Sequence, residues 1–300
     1  MAKTVKVVDS LKSKLAQKMP TGELPEYYEY SLNKKNLTLK MLKRGLEANM
    51  QDNEGAFESW AIALKFYLKD IETVTIDWED GVVDNLHFNR FVYRAAKFMQ
   101  TYDWVRLAKK LPEIPTILVC NYPNGDAADK SAHQPGSEGW LECDFVEKHK
   151  GKYDIINHQL PVGLFDEVVS RTTYYTTGQK SAIDIWAIKG NEFYVYELKK
   201  EDNIPLGIIS ELMFYTNVMQ DLFSHRIQFI DDAKFKKAIK ENYRGFGNLY
   251  DAYRKGEISQ INAIMLAKNL HPLIKKELVN FINDSARFKY CHIVFSTQKP

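Results

Sequence analysis

The sequence predicts an α/β protein with a mixed β-sheet, and three observations carry this prediction. Segments 85–110 and 205–223 repeat apolar residues at the three- and four-residue spacing of a helix. Short runs rich in valine, isoleucine and aromatic residues occur at 153–160, 182–188 and 193–198, as expected for strands. The stretch 261–295 has a strand–helix–strand pattern, which favours a parallel pair of strands at one side of the sheet.

The remaining helices and strands are predicted from the same two kinds of pattern, helical spacing of apolar residues and short runs of β-branched and aromatic residues. Helical patterns occupy residues 3–18, 25–49, 52–68, 85–110, 138–148, 205–223, 233–255 and 272–283. Strand patterns occupy residues 74–78, 116–120, 153–160, 182–188, 193–198, 261–266 and 290–295. We therefore expect an N-terminal helical extension at residues 1–50, followed by one domain at 51–300 with a helical insertion at about 85–148.

The composition is ordinary for a globular protein. It indicates more about the cellular compartment of the protein than about its activity. Hydrophobic residues make up 45% and charged residues 27% of the 300 residues, and the net charge of +2 neither requires nor excludes a polyanionic partner. The three widely spaced cysteines lack a CxxC spacing, which indicates a reducing compartment without a zinc cluster. We see no apolar run of signal-peptide or membrane-span length, so we expect a cytoplasmic protein with no membrane partner.

Three charged residues interrupt two apolar runs that a tight turn at residues 189–192 joins into a hairpin. Asp184 lies in the first run, and Glu197 and Lys199 lie two apart in the second. Because strand side chains alternate between faces, Glu197 and Lys199 share one face of the sheet. Buried carboxylates are costly unless they are paired or bind metal, so a shared divalent cation is one solution and a chance salt-bridged hairpin is the other.

The metal interpretation suits phosphodiester hydrolysis. A hard cation such as Mg²⁺ takes oxygen ligands, lowers the pKa of bound water and neutralises charge that develops on the phosphate. Asp184 and Glu197 provide suitable oxygens, whereas imidazole and thiolate ligands suit other metals. Lys199 supplies a further positive charge that could orient the water.

These residues resemble the signature of the PD-(D/E)XK nuclease superfamily: an aspartate on one strand, Asp184, and Glu197-Leu198-Lys199 on the next. The resemblance implies a restriction-endonuclease-like α-β-β-β-α-β core and a Mg²⁺ or Mn²⁺ ion. It implies that Asp184, Glu197 and the Leu198 carbonyl are metal ligands and that Lys199 assists catalysis. Ile183 stands where the family name has proline, a position that many members vary. The implied substrate is nucleic acid, with DNA preferred over RNA. A homodimer is compatible with this family.

Two further features extend the resemblance. Glu211 and Tyr215 lie four apart on a predicted helix, similar to the Gln-x-x-x-Tyr motif of RecB-like and lambda-exonuclease-like members, with Glu in place of Gln. A structural role is the alternative, with Tyr215 in the core and Glu211 bonded to Lys199 or to the backbone. Family members also use a glutamate of the first core helix as a metal ligand. In this sequence Glu54 is the preferred candidate for that ligand, and Glu58 is the second candidate. An acid in a first helical turn is also favoured by the helix dipole, so neither residue need be a ligand.

Weaker candidates have plainer explanations. His158 and Gln159 end the first strand of the trio near the expected active face, where a single histidine is more often structural. A basic cluster in segment 25–49 is either a solvated face or a DNA-backbone contact; its members are Lys34, Lys35, Lys40, Lys43 and Arg44.

The sequence therefore predicts a metal-dependent nuclease acting in restriction, phage defence or repair. One rival is a nuclease-fold module that binds nucleic acid or protein without turnover. A second rival is a structural or assembly protein built on the long helices.

Overall fold

The computed structural model describes residues 2–16, 23–82, 85–177, 181–201, 203–288 and 290–300. The helices within these ranges are α1 Ala2–Leu15, α2 Lys43–Leu46, α3 Phe57–Tyr67, α4 Leu86–Thr101, α5 Glu138–His149, α6 Ile208–Phe223, α7 Ala233–Lys240, α8 Phe246–Lys255 and α9 Lys276–Ser285. The strands are β1 Tyr28–Asn33, β2 Asn36–Met41, β3 Thr73–Trp78, β4 Val105–Leu107, β5 Leu118–Cys120, β6 Ile155–Pro161, β7 Leu164–Asp166, β8 Ala182–Lys189, β9 Glu192–Lys199, β10 Ile227–Gln228, β11 Gln260–Ala267 and β12 His292–Gln298.

The chain divides into two compact units. The first consists of Met1–Ile114, Pro205–Glu211 and Leu270–Arg287, and the second of Pro115–Ile204, Leu212–Asn269 and Phe288–Pro300. The described residues form three sheets, each of which mixes parallel and antiparallel pairs. This confirms the predicted mixed α/β class, although the sequence predicts a single mixed sheet. Among the described residues, every helix is too short or too polar to cross a lipid bilayer.

The first unit contains a four-stranded sheet in the order β1-β2-β3-β4. The β1–β2 pair is antiparallel, and β3 adds to β2 in parallel, so the N-terminal segment and residues beyond 50 form one sheet. Aromatic rings of α3 and α4 contribute to the core, where Phe57 meets Phe91 and Phe98 edge to face at centroid distances of 5.1 and 5.9 Å.

The prediction of one helix at residues 25–49 is wrong, because residues 28–41 form the β1–β2 hairpin and only Lys43–Leu46 within this segment is helical. Its burial alternates with the period of a strand: Tyr28 and Tyr30 are buried, and Glu29 between them is exposed. Lys34 turns the chain with a φ of +54°. Lys34, Lys35 and Lys40 of the basic cluster therefore lie on this hairpin, and Lys40 pairs with Glu29 at 3.0 Å. The other two members, Lys43 and Arg44, lie in the short helix α2.

Two predicted helices have different bounds. Helix α3 begins at Phe57 rather than at residue 52, because Asp52 to Gly55 form a turn closed by a 2.9 Å bond from the Gly55 N–H to the Asp52 carbonyl. A Cβ at Gly55 would lie 2.0 Å from the Asn49 carbonyl oxygen, so the turn requires glycine there. Helix α4 ends at Thr101 rather than near residue 110, and β4 follows it.

The second unit contains a five-stranded sheet in the order β12-β11-β9-β8-β6. The β8–β9 hairpin is antiparallel as predicted, and β11 and β12 form the predicted parallel pair. A three-stranded sheet in the order β10-β5-β7 lies in the same unit. The predicted helical segment 233–255 is broken into α7 and α8, because Asn242, Arg244 and Gly245 all have a positive φ.

Candidate active site

The β8–β9 hairpin brings together the three charged residues that the sequence singles out. Its register runs from Lys189 opposite Glu192 to Ile185 opposite Tyr196. Asp184 and Glu197 are the next residue on each strand, beyond the last pair of this ladder. The two carboxylates thus occur where the neighbouring strands separate.

The side chains alternate between the two faces of the sheet as the sequence predicts. Ile185 and Leu198 pack into an apolar cluster with Phe145 of α5. Residues next to them in a strand project to the opposite face, so Glu197 and Lys199 project away from α5. The charged residues are therefore separated from the apolar cluster by the sheet.

The Asp184 carboxylate is fixed against the neighbouring strand. Its Oδ2 accepts a 2.9 Å hydrogen bond from the backbone N–H of Leu198. The N–H and C=O of one strand residue point toward the same neighbouring strand, so the Leu198 carbonyl also points toward β8. The carbonyl expected as a metal ligand is therefore on the same side of β9 as Asp184.

Glu197 and Lys199 form a buried ion pair. The Lys199 Nζ lies 2.7 Å from Glu197 Oε1, and the two side chains are 6% and 3% exposed. Parallel strand β11 places Met265 opposite Glu197 and Ala267 opposite Lys199, and both of these apolar residues are buried. An apolar environment strengthens the attraction between the charges and raises the cost of leaving either one alone.

The donor chemistry of these residues fits a hard divalent cation. Asp184, Glu197 and the Leu198 carbonyl offer oxygen atoms, which Mg²⁺ and Mn²⁺ prefer. Within the described residues, no group of three or more His, Cys, Asp or Glu side chains is arranged to hold a metal. A cation at the hairpin would therefore use two carboxylates and a backbone carbonyl, with water or substrate completing its coordination.

The two candidates for a further glutamate ligand lie in the first unit, where each has partners. Glu54 precedes α3 and accepts hydrogen bonds from the backbone N–H groups of Glu26 and Tyr27, at 3.1 and 3.0 Å. Glu58, in the first turn of α3, is 2% exposed and forms an ion pair with Arg94. Both residues thus stabilise the first unit, whereas the hairpin carboxylates belong to the second unit.

Glu211 and Tyr215 lie four apart on α6, as predicted, and both side chains are buried. The boundary between the units falls within this helix, so Glu211 belongs to the first unit and Tyr215 to the second. The Glu211 N–H donates to the Gly207 carbonyl at 3.0 Å, which continues the helical hydrogen bonding at the start of α6.

His158 and Gln159 make contacts in the second unit that sequence patterns do not reveal. His158 Nε2 lies 3.9 Å from Cys143 Sγ, and its Nδ1 lies 3.6 Å from Glu142 Oε2. Gln159 Nε2 donates to the same Glu142 oxygen at 2.8 Å. These contacts join β6 to α5, consistent with the structural interpretation of His158.

The second unit also contains a cavity of about 670 Å³. Its lining includes two cationic side chains, Arg171 and Lys234, and the rings of Tyr122 and Tyr174. Tyr122 donates a 2.7 Å hydrogen bond to Asp232, the N-cap residue of α7. None of the three hairpin residues belongs to the lining of this cavity.

Comparison of the chain with protein-family models, with characterised proteins and with solved structures found no match.

Proposed function

We propose that this protein is a metal-dependent nuclease of the PD-(D/E)XK type that hydrolyses phosphodiester bonds, with DNA as the expected substrate. The observation that carries the proposal is the hairpin: Asp184 bonded to the Leu198 N–H, beside the buried Glu197–Lys199 pair. The charges occur at the ends of adjacent strands in a largely apolar sheet, where their desolvation requires a compensating function.

The order of elements in the second unit supports a restriction-endonuclease-like core. Helix α5 is followed in the five-stranded sheet by β6, β8 and β9, then by α6 and β11. This order matches the α-β-β-β-α-β pattern implied by the resemblance. In this alignment the first core helix is α5, not the segment 52–68 from which Glu54 and Glu58 are candidates.

Each hairpin residue has a distinct role in the proposed reaction. Asp184, Glu197 and the Leu198 carbonyl would hold a Mg²⁺ or Mn²⁺ ion. When bound, such an ion supplies a water of lowered pKa and neutralises charge on the phosphate. Lys199 bonds to Glu197 at 2.7 Å, so its ammonium balances the negative charge of that carboxylate and lies near any phosphate at the site. The N–H of Leu198 holds Asp184 in place before substrate arrives.

A substrate panel tests this proposal. The purified 300-residue chain with Mg²⁺ or Mn²⁺ is incubated with supercoiled plasmid, linear duplex, single-stranded DNA and RNA. We expect cleavage of at least one substrate, its loss in chelator, and its loss in Asp184→Ala and Lys199→Ala. Asp251→Ala is the matched control, because Asp251 is an exposed carboxylate of α8.

Two results would contradict the nuclease proposal. All four substrates could remain intact under every metal condition, or cleavage could persist at the wild-type rate in Asp184→Ala. Protein that binds nucleic acid and gains thermal stability from Mn²⁺, but cleaves nothing, would instead support the non-catalytic module.

A further inference from the structure

Strand β6 has an unusual backbone conformation beside Asp184. The β6–β8 ladder passes from His158 opposite Ile185 directly to Leu160 opposite Ile183, and so steps over Gln159 and Asp184. Gln159 has a φ of +57°, the left-handed conformation that residues with a side chain rarely adopt. The register is the same before and after this position. The interruption is therefore confined to one pair of residues, and neither strand gains or loses a residue.

Both the backbone and the side chain of Gln159 are held in this conformation. Its carbonyl accepts a hydrogen bond from Nη1 of Arg244, and its side-chain amide donates to Glu142 of α5 at 2.8 Å. The Nε of the same arginine donates to the Gly125 carbonyl at 3.1 Å. The carbonyl is thus bonded to an arginine at the one position where the β6–β8 ladder is interrupted.

The segment that carries Arg244 is itself fixed against the two strands. Asn242, Arg244 and Gly245 have φ values of +51°, +51° and +75°. A Cβ on Gly245 would lie 2.6 Å from Ile155 of β6 and 3.1 Å from the Trp186 ring of β8, so glycine permits a close approach. Both residues joined by the Arg244–Gln159 bond thus have an unfavourable backbone conformation. Such a conformation persists only where the contacts around it enforce it.

We propose that Arg244 and Gln159 are positioning residues that set the orientation of the Asp184 carboxylate. With the Gln159 carbonyl turned toward Arg244, Asp184 keeps its hydrogen bond to the Leu198 N–H. In a regular ladder, Gln159 would lie directly opposite Asp184 between the His158–Ile185 and Leu160–Ile183 pairs, and this pairing would constrain the Asp184 backbone. The geometric part of this inference stands alone, and its catalytic consequence rests on the nuclease function proposed above.

The Leu198 amide proton reports the position of Asp184 without any need for activity. We would measure its hydrogen exchange by NMR in the 300-residue chain, as wild type, Arg244→Ala, Gln159→Val and Gln159→Gly. Arg244→Ala and Gln159→Val are expected to accelerate exchange at Leu198 at least about tenfold, because valine strongly disfavours a positive φ. Gln159→Gly should stay within about threefold of wild type, because glycine adopts this φ readily.

Controls separate a local change from general destabilisation. The amide of Met265, in buried β11, should keep its wild-type exchange rate in all of these variants, and Lys255→Ala, at an exposed position of α8, should change neither amide. The double variant Arg244→Ala/Gln159→Gly should recover part of the protection, since glycine lowers the cost of the left-handed conformation. If Arg244→Ala does not fold, the comparison of Gln159→Val with Gln159→Gly decides the question.

The inference is overturned if Leu198 exchanges at the wild-type rate in Arg244→Ala and Gln159→Val, or if valine and glycine at 159 behave alike. It is also overturned if the amide exchange rates of Met265 and Leu198 rise by the same factor, because this would indicate a general loss of stability. If the wild type cleaves nucleic acid, kcat should fall at least about tenfold in Arg244→Ala, with little change in KM. If the wild type cleaves nothing, the exchange data still decide the positioning role, so failure of the nuclease proposal remains distinguishable.

Discussion

Replacing Lys199 with methionine removes the positive charge from the buried hairpin and leaves most of the side-chain volume in place. The Lys199 Nζ and Glu197 Oε1 are 2.7 Å apart, which corresponds to an attraction of about 6 kcal/mol at an effective dielectric constant of about 20. Desolvation of both groups offsets part of this attraction, and removing one partner of a buried pair typically costs about 3–5 kcal/mol. We expect the free energy of unfolding of Lys199→Met to fall by that amount.

Urea denaturation followed by circular dichroism measures this change, and Mn²⁺ identifies its cause. Saturating Mn²⁺ should restore about 3 kcal/mol at a hundred times its Kd, if the carboxylates hold the ion. A deficit below about 1 kcal/mol would refute the reasoning, because it would mean that the pair is effectively solvated.

The remaining predictions concern stability elsewhere in the chain. Arg94→Met should lower the free energy of unfolding by about 3–5 kcal/mol, since it leaves buried Glu58 without its cation; a loss near zero in urea denaturation would contradict this. Gly245→Ala should cost about 2–4 kcal/mol through its positive φ and its contact with Ile155, whereas alanine at exposed Gly151, with open space around its Cα, should be nearly neutral. Burial lowers the pKa of His271 to about 4 from 6.5, so the unfolded chain binds more protons between these values. Stability should therefore fall by up to about 2 kcal/mol as pH decreases from 6.5 to 4, and His271→Gln should abolish this component.

The central hairpin could be predicted from the sequence because its signals are local. Alternation of apolar and polar residues, the Gly190-Asn191 turn and the three charges lie within residues 182–199, and the antiparallel pairing follows from the short connection. The parallel β11–β12 pair was also predictable, because a strand–helix–strand connection favours that arrangement.

The errors occurred where partners distant in sequence determine the local structure. Residues 28–41 form a hairpin because Leu37 and Leu39 pair with β3 at residues 73–78, a contact that a local helical pattern cannot indicate. The cap-type residues before α3 are used in a turn that requires Gly55 next to Asn49. Arg244 was not a candidate because it lies 85 residues from Gln159 in the chain, and nothing in the local sequence marks a left-handed glutamine in a strand.

The most direct test of the nuclease account is the rate of Mn²⁺-dependent cleavage by wild type and Asp184→Ala, prepared and assayed side by side. Asp184→Ala removes one proposed ligand from a half-buried position and should leave the fold intact, which circular dichroism can verify. The account predicts at least about a hundredfold loss of rate in this variant, with Asp251→Ala at the wild-type rate. Equal cleavage by wild type and Asp184→Ala at every Mn²⁺ concentration would contradict it.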